Sequence, residues 1–341
     1  MKKNYSSQSE FFFANIRYLF YDLNFILNIL KTYKNFFSVI INILKQNYPL
    51  DATLNSGKKV SLKNFNEVLF FVQIRNLNNL EYDLDNDFIK IVSLPWKNSL
   101  LNLKLYGVIS NGDIVNMLFK EEYKVFDVKN KFVIDIGTNV GDSVMYFVLR
   151  GANHVIGLEP FPQNFQLAKK NIQENKLEDI VDLKLGGCSD SNKKIFIDPS
   201  LSGNSLKLNS ESENLGIEVD IFSLNEITKN LNQSNKLVLK MDCEGCEYET
   251  ILNSSKETLT RFSEIIIEYH NGYVDLKNKL EDIGFKVKLV SKPMSADYAQ
   301  KFISFLRNQK SNKKIFNSSK DCNSNLQNSS HFVGLLYAKK I

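Results

Sequence analysis

Residues Lys131-Phe-Val-Ile-Asp-Ile-Gly-Thr-Asn-Val-Gly-Asp142, followed at once by a helical pattern from Ser143, decide the fold. An apolar, largely β-branched run (Phe132, Val133, Ile134, Ile136) ends in a turn punctuated by Gly137 and Gly141. Strand, glycine turn and helix N-terminus, in that order, are how a parallel sheet builds a seat for a nucleoside-bearing ligand. The glycines let backbone approach a ligand closely, and the first helical turn offers unpaired N–H groups. A dinucleotide turn reads G-x-G-x-x-G, whereas here the third glycine is missing and carboxylates stand at Asp135 and Asp142. Acid at that point repels a pyrophosphate and suits a cationic ligand.

Outward from this motif the β-α alternation is regular, which predicts a doubly wound α/β sheet. The predicted strands are 131–136, 154–159, 181–185, 236–242, 264–270, 285–290 and 332–338, with a short extra strand at 218–222. Helices fall at 143–150, 162–175, 224–230, from about 247, and 274–283. Seven main strands are expected, the late ones as a hairpin-like pair. Residues 311–330, rich in Ser, Asn and Lys, read as a flexible loop. Residues 10–47 repeat apolar positions at three- and four-residue steps and read as helical. This divides the chain into an N-terminal helical segment (1–57), an accessory α/β module (58–127) and a main domain (128–341). The Phe-rich helices read as a brace on the main domain, with peripheral membrane contact or dimer formation as the alternatives.

Bulk properties narrow the field. The 341 residues are 43% apolar and 24% charged, as in an ordinary globular protein, and the net charge of +5 is mild. No basic patch stands out, so no nucleic-acid partner is expected. Charged residues interrupt the N-terminus before the ~20 apolar residues that a span requires, and no signal cleavage pattern follows, so a cytoplasmic protein is expected. The four cysteines are too scattered for a disulfide framework. Cys243 and Cys246 lack the partners that a zinc site needs and read as packing residues.

In such sheets ligands bind at the carboxyl ends of the strands, so the polar residues there can be read as a set. The first strand supplies Asp135 and the turn Gly137, Asn139, Gly141 and Asp142. The second supplies Glu159, about 20 residues on, where a carboxylate can take both ribose hydroxyls, with Pro160 next to it. The third supplies a Gly187-Cys188 turn, with Cys188 near an adenine edge, and Asp190. The fourth supplies Asp242, Glu244 and Glu247, and the fifth Glu268 and His270. The sulfonium and ammonium of S-adenosylmethionine fit this acidic set better than NAD does. Asp242, Glu244 and His270 are the candidates for chemistry, with His270 a natural base near neutral pH. No metal ligand is assigned; a divalent cation on those three residues is the less favoured version.

Val133-Ile-Asp-Ile-Gly-Thr-Asn-Val-Gly-Asp142, Gly157-Leu-Glu-Pro160, Leu239-Lys-Met-Asp-Cys-Glu-Gly-Cys-Glu247 and Ile267-Glu-Tyr-His270 together resemble the FkbM family of S-adenosylmethionine-dependent methyltransferases. The K-x-D-x-E-G-x-E string is the most discriminating part. The resemblance implies a class I methyltransferase fold, a seven-stranded sheet with the last strand antiparallel, and O-methylation of a hydroxyl on a sugar, glycan or natural-product-like small-molecule acceptor. The rival readings are a dinucleotide dehydrogenase and a non-catalytic scaffold that binds partners through its Phe-rich helices.

Overall fold

The computed structural model describes residues 6–96, 99–111, 115–197, 216–231, 236–295 and 332–341. The predicted loop at 311–330 lies outside these residues. The N-terminal region builds α1 (Gln8–Thr32), α2 (Phe36–Lys45), a hairpin of β1 (Leu50–Thr53) and β2 (Lys59–Leu62), and α3 (Phe65–Ile74). An antiparallel three-stranded sheet follows, made of β3 (Leu80–Asp83), β4 (Phe88–Trp96) and β5 (Ser99–Tyr106), and then α4 (Val108–Asn111).

The main region runs β6 (Phe132–Ile136), α5 (Asp142–Leu149), β7 (His154–Glu159), α6 (Pro162–Glu174), β8 (Val181–Ser189), β9 (Lys193–Ile197), β10 (Ile217–Ser223) and α7 (Leu224–Thr228). It continues with β11 (Leu237–Met241), α8 (Cys246–Asn253), α9 (Lys256–Leu259), β12 (Phe262–Tyr269), α10 (Val274–Asp282), β13 (Phe285–Leu289), β14 (Met294–Ser295) and β15 (Phe332–Lys340). These strands form one sheet in the order β13-β15-β12-β11-β6-β7-β8-β10-β9, with β14 on β15. From β12 to β10 neighbours are parallel, and β15 runs antiparallel to both β12 and β13. The seven expected strands are present with the last reversed, but the sheet has 10 strands. β10 extends it by pairing with β8, and β9 covers the edge of β10.

The strand order reverses between β6 and β11, so the crevice lies over the carboxyl ends of these two strands. β11 is buried at all five positions, as a central parallel strand should be. Lys240 is the one charged residue in that apolar run, and it becomes the hinge of the site below.

The accessory region is fastened to the main one rather than loosely tethered. The edge of β5 is closed by two asparagines one helical turn apart, Asn171 in α6 and Asn175 at its C-cap. Asn171 donates to the Tyr106 carbonyl (2.9 Å) and accepts from its N–H (2.7 Å). Asn175 does the same for Lys104 (2.6 and 3.0 Å). Side-chain amides thus stand in for a neighbouring strand and satisfy an edge that would otherwise invite pairing. A single hydrophobic cluster runs from Tyr33, Phe70 and Leu105 through Phe126 and Phe147 to Val155 and Val238. At the other end α1 braces the main sheet: Arg17 Nε donates to the Pro293 carbonyl (2.7 Å) and Tyr273 to Glu10 (2.7 Å). Its outward stripe, including Phe13, Phe20, Leu23 and Leu27, stays exposed.

Candidate active site

The glycine turn is shaped first by the protein itself. Gly137 has φ 78°, and a Cβ there would lie 1.9 Å from the Asp242 carbonyl oxygen. Its bare backbone is what allows the loops after β6 and β11 to touch. Gly141 (φ 85°) caps α5 and lets Ala168 of α6 pack close, at 3.3 Å from a hypothetical Cβ. Asn139 is also left-handed (φ 49°), and its N–H donates to Glu159 Oε2 at 2.8 Å. The other carboxylate oxygen of Glu159 accepts the Phe161 N–H at 3.0 Å. The end of β7 is thereby tied to the turn after β6, as the spacing of the two motifs predicts. Burial pushes the Glu159 carboxyl up to about 7 despite these two hydrogen bonds and Lys240, which pull it down. Asp142, in the first turn of α5, is pushed up to about 6 by burial, against the pull of Lys240.

Beneath the turn lies a residue to which sequence reasoning gave no role. Lys240 Nζ sits 3.0 Å from Asp135 Oδ1, 2.8 Å from the Gly137 carbonyl and 3.9 Å from Asp242 Oδ2. Burial disfavours its charge, but Asp135 and Asp242 outweigh that and hold the ammonium well above its ordinary value. Asp135 Oδ2 in turn accepts from Ser143 (2.6 Å) at the start of α5. Asp135 therefore anchors the turn from below instead of facing the crevice. A charged residue in the middle of Leu237–Met241 was the available signal.

The loop after β11 collects the chemistry. Glu244 (φ 56°) and Gly245 (φ 123°) turn the chain so that α8 starts at Cys246. His270, one residue beyond β12, meets this loop from below. Its Nδ1 is 2.6 Å from Oε1 of the fully buried Glu247, while Nε2 is 3.8 Å from Asp242 Oδ1 and 3.6 Å from Glu244 Oε2. Burial pulls the imidazole pKa down, but the Glu247 bond and the charges of Glu244 and Asp242 outweigh it and raise it to about 10. In this setting the ring holds its proton near neutrality, so the expected role of free base does not suit it. Asp242 and Glu244, 29% and 46% exposed, are the carboxylates that reach the crevice.

Two expectations about cysteine change. Gly186-Gly187-Cys188 is not a turn: β8 continues through it and pairs with Asp220–Phe222 of β10. The glycines serve that approach, since a Cβ on Gly186 would lie 2.8 Å from the Asp220 carbonyl. Cys188 is consequently buried in the core, its thiol toward Thr250 and pushed up to about 12 by burial, and it does not offer an adenine contact through sulfur. Cys243 and Cys246 are joined by a disulfide across the Glu244-Gly245 turn. They act as a covalent clip on the loop that carries the carboxylates, and both also pack, partly buried, against the core. Pro160 packs beside Gly187, at 3.6 Å from a hypothetical Cβ, where it closes the end of β7.

Strand order, glycine turn and acid at the end of β7 together define a class I methyltransferase fold. Residues 135–320 match the methyltransferase FkbM domain, more than half of the chain, and the protein belongs to that family. A U6 small nuclear RNA (adenine-(43)-N(6))-methyltransferase of Drosophila melanogaster is 27% identical over 159 residues, 46% of this chain and 47% of that protein. An uncharacterized protein 158B of Sulfolobus islandicus rod-shaped virus 1 is 37% identical over 67 residues, 19% of this chain and 42% of that one. The chain thus spans about half the length of these curated relatives. The crystal structure of methyltransferase FkbM from Methylobacillus flagellatus KT is 16% identical, with 52% of this chain and 44% of that chain covered and a TM-score of 0.37. The exclusion of nucleic acid drawn from net charge does not stand, because a relative carries the name of an RNA methyltransferase. Among the described residues no helix is long and apolar enough to cross a membrane.

Proposed function

We propose that this protein is an S-adenosylmethionine-dependent methyltransferase whose acceptor binds over the carboxyl ends of β11 and β12. The observation that carries the reading is the buried Glu159 carboxylate locked to the Asn139 N–H at the lip of the glycine turn (2.8 Å). The residues present fit the donor: Asp142 Oδ2 and Thr138 Oγ1, both buried, find no hydrogen-bond partner among the described residues. Buried polar atoms left unpaired cost about 1–3 kcal/mol each, which a bound polar ligand recovers. Glu159 would hold the ribose hydroxyls, and Asp142 with the first turn of α5 the amino-acid end. When bound, S-adenosylmethionine supplies an electrophilic methyl group. Lys240 holds the turn rigid, so that acceptor and methyl can be aligned. Asp242 and Glu244 would take the proton of an acceptor hydroxyl at a carboxylate oxygen.

That pair of carboxylates supports a hydroxyl acceptor; the sugar and glycan class has no observation of this protein behind it. RNA is the second reading, favoured by the Drosophila relative. Calorimetric titration with S-adenosylmethionine, S-adenosylhomocysteine and NAD tests the donor. Micromolar binding of both S-adenosyl ligands, weakened by about 1–3 kcal/mol in Glu159→Ala, is expected. Binding of NAD alone, or of none of the three, overturns the proposal. Incubation of labelled donor with RNA and with hydroxylated small molecules then separates the two acceptor readings.

A further inference from the structure

We infer that Asp242, Glu268 and His270 form a binding site for one divalent transition-metal cation at the mouth of the crevice. One ligand atom from each, two carboxylate oxygens and an imidazole nitrogen, lie within 4.8 Å of one another. Donors about 2.1 Å from a common ion stand roughly 3–4.3 Å apart, so a slight closing of this cluster accommodates one.

Proximity of acids alone would not make a site, and two buried groups add independent support. The first is His270, whose side chain is about nine-tenths buried. Glu247, wholly buried, takes Nδ1 at 2.6 Å, and this leaves Nε2 aimed at Asp242 and Glu244 at 3.8 and 3.6 Å, beyond hydrogen-bond reach. A carboxylate holding the far nitrogen of an imidazole is the arrangement by which proteins orient a metal-binding histidine. Cation and proton compete for Nε2, and the ligand form of the ring is the neutral one held at Nδ1. The second is Tyr123, fully buried on the segment before β6. Its hydroxyl has no hydrogen-bond partner among the described residues, and the charges of Asp242 and Glu268 act on it. A water on the ion would satisfy it.

Charge favours a cation here. Asp242, Glu244, Glu247 and Glu268 converge on one loop and one strand end, opposite Lys240 and His270. Lys240 is already committed to Asp135 and the Gly137 carbonyl. A mixed set of two carboxylates and one imidazole admits Mn2+, a hard ion that also accepts imidazole nitrogen, more readily than Mg2+ or Ca2+, which prefer oxygen throughout. The inference deepens the methyl-transfer reading, on which its purpose rests. A cation that holds an acceptor hydroxyl eases loss of the hydroxyl proton, which passes to Glu244, outside the donor set; nothing is oxidised or reduced.

The test is Mn2+ titrated into chelator-treated full-length protein near neutral pH, with free ion followed by its electron paramagnetic resonance signal. One saturable ion per chain is expected, with nitrogen coupling to the bound metal and affinity at least about tenfold weaker in Asp242→Asn and in Glu268→Gln. Substitution of His270 threatens its buried pair with Glu247, so Glu268→Gln is the deciding variant, with circular dichroism to verify folding. Absence of saturable binding, absence of nitrogen coupling, or undiminished affinity in Glu268→Gln overturns the site. S-Adenosylmethionine affinity, measured in the same samples, separates the two ideas. Mn2+ binding without donor binding leaves the cation site standing and removes the methyl-transfer reading, and the reverse result removes only the cation site.

Discussion

Lys240 Nζ and Asp135 Oδ1 lie 3.0 Å apart, both almost fully buried, between the two strands at which the sheet reverses its order. The pair joins neighbouring register positions of β6 and β11. Through the Gly137 carbonyl it reaches directly under the glycine turn. Replacing such a pair as a unit can be mild, but removing one partner strands a charge in the core. Lys240→Met should therefore cost about 3–5 kcal/mol in urea denaturation. The double variant Lys240→Met/Asp135→Asn should recover at least about 1 kcal/mol of that loss. Equal destabilisation of the single and double variants would show that the pair is not what holds the strands.

The Glu159 carboxyl is buried, and its folded value of about 7 lies above its ordinary 4.5. A group whose folded pKa is raised contributes stability that is full below the unfolded value and is lost as pH rises through the folded one. Its share should be present below 4.5 and gone above about 7, a change on the order of 3 kcal/mol. Asp142, raised from 3.8 to about 6, acts in the same direction over a lower window. Denaturation midpoints of wild type and Glu159→Gln at about pH 5 and about pH 8 should show the variant losing much less stability on going alkaline. Parallel curves would assign the pH dependence to other groups.

Gly137 and Gly245 both have positive φ but differ in surroundings. A Cβ at Gly137 would collide with the Asp242 carbonyl, whereas nothing lies within 4 Å of one at Gly245. Gly245→Ala should cost only backbone strain, about 1–2 kcal/mol. Gly137→Ala must also push apart the loops after β6 and β11. Thermal melts should rank Gly137→Ala far below Gly245→Ala, and the reverse order would contradict the close approach.

The thiols should differ in reactivity. Cys188 is buried with a pKa near 12 and should resist iodoacetamide in the native protein. Cys243 and Cys246 should be alkylated only after treatment with a dithiol reductant. Peptide mass mapping reads all three positions, and labelling of Cys188 before unfolding would mean that β8 is looser than its pairing implies.

Much of the main sheet was legible in the sequence because its strands are buried on both faces and its helices carry clear stops. β7 (His154–Glu159) and α10 (Val274–Asp282) fall within a residue of where the apolar runs and Gly284 place them. The turn from Gly137 to Asp142 and the acid at Glu159 were legible for the same local reason: a glycine turn and a strand-end carboxylate declare themselves by spacing. β9 and the outer half of β8 were not, since Lys193-Lys194 and the Gly186-Gly187 pair look like loop until β10 is laid beside them. Charge count misled about partners, because a net charge of +5 says nothing about what a crevice binds.

The amino-acid order by itself determined the main strands, the turn and the family, which depend on short-range periodicity and on short motifs. Tertiary structure alone decided the roles of the charged residues. Asp135 became an anchor because Lys240 arrives from a strand about a hundred residues later. His270 became a fixed ring, with one nitrogen pointed at acids, because Glu247 of α8 closes on its other side. A side chain's protonation and reach are set by neighbours in space and by the water they exclude, and neither is written in the spacing of the chain.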